Sequence, residues 1–68
     1  MNHELLRDIR VEKGVTQEEM AKCLGYKSKS TYCNIELGVT KVSTDVANKI
    51  AARLGMNTKQ KISVFLPE

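Results

Sequence analysis

Apolar residues recur at helical spacing in five stretches: Leu5, Leu6 and Ile9; Met20, Ala21 and Leu24; Tyr32 and Ile35; Val46, Ala47, Ile50, Ala51 and Leu54; and, less regularly, Ile62, Val64, Phe65 and Leu66. Residues three and four apart share one face of an α-helix, so each of the first four stretches predicts an amphipathic helix with that face turned inward. Nothing alternates like a strand before the tail. There, Lys61–Leu66 ahead of Pro67 reads either as a short helix begun at Asn57 or Thr58 or as an extended arm, with the helix preferred.

Polar and glycine residues mark the ends. Gly14, Gly25, Gly38 and Gly55 each close an apolar stretch, the place of a left-handed helix cap. Thr16-Gln17-Glu18-Glu19 has the capping-box form, in which hydroxyl and carboxylate each satisfy a backbone N–H at a helix start. Ser28 or Ser30 opens the third helix, and Ser43 the fourth. The predicted helices lie near 3–13, 17–24, 29–37, 44–54 and 58–65, making one all-α, five-helix domain over residues 1–68 with no repeat or internal linker.

Composition narrows the function. A chain of 68 residues buries only about 60% of its unfolded surface, so a partner subunit is expected, as a homodimer. Two cysteines, Cys23 and Cys33, cannot build a disulfide framework; with no signal segment and no 18-residue apolar run, the expected setting is a reducing cytoplasm, away from membranes. Cys23 is read as a small packing residue and Cys33 as an unreactive thiol. His3 is the only histidine, no Cys/His cluster has zinc spacing, and no nucleophile–base pair or phosphate-cradling glycine loop occurs; no metal, cofactor or enzymatic activity is expected. The net charge of +3 is unevenly placed, −1 over residues 1–24 and +4 over 25–68. That asymmetry suits a polyanion, and equally an ordinary soluble domain.

The spacing of the second and third helices adds more. Only Gly25-Tyr26-Lys27-Ser28 joins 17–24 to 29–37, a link so short that the helices cross steeply and the second projects. Such a unit is either a DNA reader or a plain packing element. On a wheel of about 100° per residue with Ser30 at 0°, Asn34 falls at about 40° and Leu37 at about 340°, against about 140° for Ile35 and 200° for Tyr32. One face is therefore short and polar. Asn34 there can pair with adenine, Ser30 with several bases, and Lys29 with guanine or a phosphate; the alternative is a simple solvated face.

Leu6-Arg7-Asp8-Ile9-Arg10, Lys13-Gly14-Val15-Thr16-Gln17-Glu18-Glu19-Met20-Ala21, Leu24-Gly25, Ser30-Thr31, Ile35-Glu36 and Ala51-Ala52-Arg53-Leu54-Gly55-Met56 follow one another at a specific spacing. In that order they resemble the Cro/repressor-type (Xre) helix–turn–helix proteins of phages and bacteria. The resemblance implies a lambda-repressor-like domain that enters the major groove of double-stranded DNA and regulates transcription, here as a repressor occupying an operator. It implies a phosphate contact for Gln17 and Thr31, base contacts for Lys29, Ser30 and Asn34, and a structural ion pair between Arg10 and Glu36. Lys27 and Lys41 are the further basic residues expected on phosphates.

Some positions depart from the family pattern. The stretch Gly25–Glu36 is one residue longer than the commonest form, which shifts contact assignments by up to one residue. Tyr32 replaces an aliphatic residue and is read as a core ring whose hydroxyl needs a partner, or else as a DNA contact. Leu37 stands where relatives carry a polar residue; it is either plainly exposed or set against a thymine methyl. With only 12 residues after Met56, a small phage-type or Cro-like repressor without a small-molecule effector is expected. The rival reading is an antitoxin or anti-regulator of the same fold that binds chiefly another protein, and its mark is an oversized apolar surface on Ile62, Val64, Phe65 and Leu66.

Overall fold

A computed structural model describes residues 1–66, so the last two positions of the predicted domain lie outside the described residues. Five helices and no strand occur among them: α1 (His3–Glu12), α2 (Gln17–Cys23), α3 (Lys29–Glu36), α4 (Thr44–Leu54) and α5 (Thr58–Phe65). The first three end one residue before their predicted limits; the last two match, and the tail is a helix rather than an arm.

Starts follow the polar signals closely. Thr16 and Glu19 form the reciprocal box, Glu19 N–H donating to Thr16 Oγ1 at 3.0 Å and Thr16 N–H to Glu19 Oε1 at 2.9 Å. Asn57 and Gln60 repeat it at the head of α5, which resolves that start in favour of Asn57. Asn2 and Ser43 accept from Leu5 and Val46. Ser28 departs from this pattern. It occupies the cap position of α3 with extended backbone, yet its side chain makes no capping bond and instead lies 3.4 Å from Thr31 Oγ1.

Each helix running into a glycine closes with the same pair of bonds. After α3, Gly38 N–H donates to Ile35 O and Val39 N–H to Asn34 O, the two-bond closure that needs a left-handed residue between. Gly38 supplies φ +79°, and the His3 imidazole stands 3.1 Å from where a β-carbon would be, so conformation and close approach both require glycine. The residue following each glycine tucks toward the core in three cases: Val15 and Met56 are buried and Tyr26 half-buried. Val39 is the exception, 72% exposed.

The core gathers Leu6 and Ile9 from α1, Met20 and Ala21 from α2, Tyr32 and Ile35 from α3, Ile50, Ala51 and Leu54 from α4, and Val64 from α5. α2 packs on α3 and α4, and α1 on α3 and α5. Cys23 does not pack as expected. It is exposed, because the face of α2 turned inward carries Met20, Ala21 and, just past its end, Leu24. The four apolar tail residues divide: Val64 is fully buried and Phe65 half-buried, whereas Ile62 and Leu66 stay exposed. The Val64 carbonyl also accepts from Asn2 N–H at 2.7 Å, tying α5 to the start of α1.

This division predicts unequal costs within one helix. Val64→Ala removes two fully buried carbons and should destabilise the monomer by about 2–3 kcal/mol, while Ile62→Ala, exposed on the single chain, should change the monomer's stability by no more than about 0.5 kcal/mol. Urea midpoints of the two variants check the contrast.

Candidate nucleic-acid interface

Helix α3 sorts its side chains by face. Tyr32, Ile35 and Glu36 are buried, Cys33 is half-buried, and Lys29, Ser30, Thr31 and Asn34 are exposed, which is the division the wheel predicts. Lys27 is exposed in the turn leading in, and Leu37, 69% exposed, follows the last turn. Five of the predicted residues thus share the projecting helix and its approach. Two lie elsewhere. Lys41 is exposed in the segment before α4, beside Val42 and Thr44, and Gln17 sits half-buried at the first position of α2.

What holds α3 in this rotation is a charged network. Arg10 Nε donates to Glu36 Oε2 at 2.6 Å and Nη2 to Oε1 at 3.3 Å, so the guanidinium grips the carboxylate with two nitrogens. Arg10 Nη1 also donates to the Val15 carbonyl at 2.8 Å, and Gln17 Nε2 to Glu36 Oε1 at 3.1 Å. The predicted ion pair is present, and it is larger than predicted. It joins α1, the α1–α2 link, α2 and the end of α3. The Gln17 bond escapes sequence reasoning because no local pattern relates positions 19 residues apart.

Burial shapes the titration of these groups. Desolvation opposes the Glu36 charge, but Arg10, the nearby Tyr32 hydroxyl and the Gln17 amide outweigh it and hold the carboxyl below its usual range. Desolvation likewise opposes the Arg10 charge, and the Glu36 carboxylate overcomes it, raising the guanidinium further. Tyr32 is the core ring that its position implies, and its hydroxyl is buried without a hydrogen bond of acceptable geometry. Burial first, and the neighbouring Glu36 carboxylate second, push its phenol well above the ordinary range.

Among the described residues, no group of three His, Cys, Asp or Glu side chains could hold a metal ion, and no helix is long and apolar enough to cross a membrane. A family model described as Helix-turn-helix matches residues 6–60. Comparisons with curated proteins and with solved structures return no match.

Two predictions follow from the network. Arg10→Met strands a carboxylate that is 4% exposed and should cost about 3–5 kcal/mol, whereas pairing it with Glu36→Leu should recover much of that loss. Thermal melts of the three variants check this, and a double variant no better than the single one contradicts it.

Tyr32→Phe deletes a buried hydroxyl that has no hydrogen-bond partner and, with it, a favourable influence on the Glu36 carboxylate, so stability near neutral pH should change by less than about 1 kcal/mol. Because the folded phenol titrates above its unfolded value of about 10, the wild type loses stability as pH rises past about 10. Tyr32→Phe should flatten that alkaline limb, measured by denaturant titrations across pH 8–11.

Proposed function

The chain belongs to the helix–turn–helix family of Cro/repressor (Xre) type, a DNA-binding transcription regulator in general, and from that premise we propose that it is a sequence-specific repressor occupying an operator as a homodimer. The observation that carries this reading is the division of α3 into an anchored face and an open polar one. Short side chains at Ser30 and Asn34 bring the backbone close to base edges, and Lys29 reaches guanine or a flanking phosphate. Lys27, Thr31, Lys41 and Gln17 serve the sugar–phosphate strands, which set register without reading sequence. Gln17 spends one amide hydrogen on Glu36 and keeps the other for a phosphate.

Support for the homodimer lies between α4 and α5. Exposed Ile62 and Leu66 line a groove of about 680 Å3 together with Val42, Ala47 and Phe65, and these apolar side chains are the part that a second copy would cover. Occupancy of the operator by such a dimer excludes polymerase or a competing regulator. Regulation then follows from the protein's concentration.

Selection from random duplex DNA tests the whole reading. A two-fold symmetric motif with half-sites about 34–36 Å apart is the expected result, and absence of any enrichment favours the protein-binding antitoxin or anti-regulator instead. On the selected operator, Asn34→Ala should lose about 1–3 kcal/mol with relaxed preference at one base pair per half-site. Lys41→Ala should weaken operator and random DNA alike. Titrations of both variants against single-base operator variants at fixed salt distinguish the two effects.

A further inference from the structure

A polar groove of about 920 Å3 opens along α1, the head of α2 and the end of α3, its walls including Glu4, Arg7, Arg10, Gln17, Glu36 and Leu37. Arg7 and Arg10 are three residues apart and therefore share a face of α1. Their circumstances differ. Arg10 is neutralised by Glu36 and further anchored on the Val15 carbonyl. Arg7 is exposed, and its guanidinium enters no ion pair or hydrogen bond among the described residues, Glu4 on the same wall included.

A guanidinium presents a planar fork of donors suited to phosphate oxygens, and an unpaired one releases counterions when it meets a polyanion. Gln17, whose amide nitrogen carries a second hydrogen beyond the one given to Glu36, lines the same groove. We infer that this groove seats a phosphate of the DNA backbone, with Arg7 as its cation and Gln17 as a second donor. The inference rests on the DNA-binding reading and deepens it, adding a contact from α1, outside the two motif helices. Arg7 then contributes to the salt dependence of binding, and Arg10, though adjacent and equally charged, does not.

The test compares wild type, Arg7→Gln and Lys59→Gln by anisotropy titration of a random-sequence duplex over a salt series. Lys59 borders a separate groove with Leu5, Ile9 and Ser63, so its variant removes the same charge away from the proposed contact. The log–log slope should fall by about 0.9 per bound subunit for Arg7→Gln and stay at the wild-type value for Lys59→Gln. Equal slopes for wild type and Arg7→Gln overturn the assignment. So does an equal loss in Lys59→Gln, which makes the effect one of net charge.

On the selected operator, single phosphates are then replaced by uncharged methylphosphonates. One position per half-site should weaken the wild type and leave Arg7→Gln indifferent, and the lack of any such position overturns the contact. Inorganic phosphate alone is the source control: saturable shifts of the Arg7 side-chain resonances at submillimolar phosphate would reassign the groove to a free anion. A wild type that binds no duplex fails differently, because it removes the DNA-binding reading itself.

Discussion

The bond between Arg10 and Glu36 governs the arrangement of everything around it. Two charges taken from water into a protein interior must find each other, and a partly satisfied pair is worse than none. Here the requirement is met by two contacts between the side chains and by further bonds to Val15 and Gln17. Once Glu36 points inward, the pitch of α3 leaves no choice about its neighbours: Tyr32 and Ile35 turn inward with it and Ser30 and Asn34 turn out. A hydrophobic pair in the same place could match its stability, but without bonds directed from one named atom to another. Direction is what the ion pair supplies.

The network also compensates for an imperfect helix start. α3 begins at Ser28 without the side-chain bond that heads the other helices, so its first turn is held by packing and its last turn by charge. Contact between α2 and α3 is the most extensive in the molecule, consistent with a short link that leaves the two helices little freedom to separate. Helix α3 is thus secured along its buried side and at its far end, while its near end stays open to solvent.

Much of this was legible in the sequence, because the signals involved are local. Glycines after apolar stretches, the Thr16 box and the three- and four-residue apolar spacing each concern neighbours within one turn, and they located all five helices. Family resemblance added the Arg10–Glu36 pair, 26 positions apart. What stayed hidden depends on tertiary geometry. Nothing in the neighbourhood of Ser28 says that its hydroxyl will face Thr31 instead of its own helix, and the apolar spacing that turns Met20, Ala21 and Leu24 inward does not say on which side of that face's edge Cys23 falls. The tail shows the same limit: its four apolar residues look alike in sequence, and only the position of α1 decides that Val64 is core and Ile62 is surface.

The separation of the two faces of α3 bears on how such a protein changes over generations. Substitutions at solvent-exposed positions seldom move stability by more than about 0.5 kcal/mol, and Ser30, Thr31 and Asn34 are all exposed. The Asn34 carbonyl, meanwhile, receives Val39 and Thr40 N–H at 2.9 and 3.3 Å, so the backbone beneath that side chain is anchored whatever the side chain is. A lineage can therefore try new residues at these positions one at a time without approaching the threshold of unfolding, which a domain this small must always keep in reach. Under the proposed reading, preference for one nucleotide sequence over another becomes a trait free to drift, carried on a scaffold that is not.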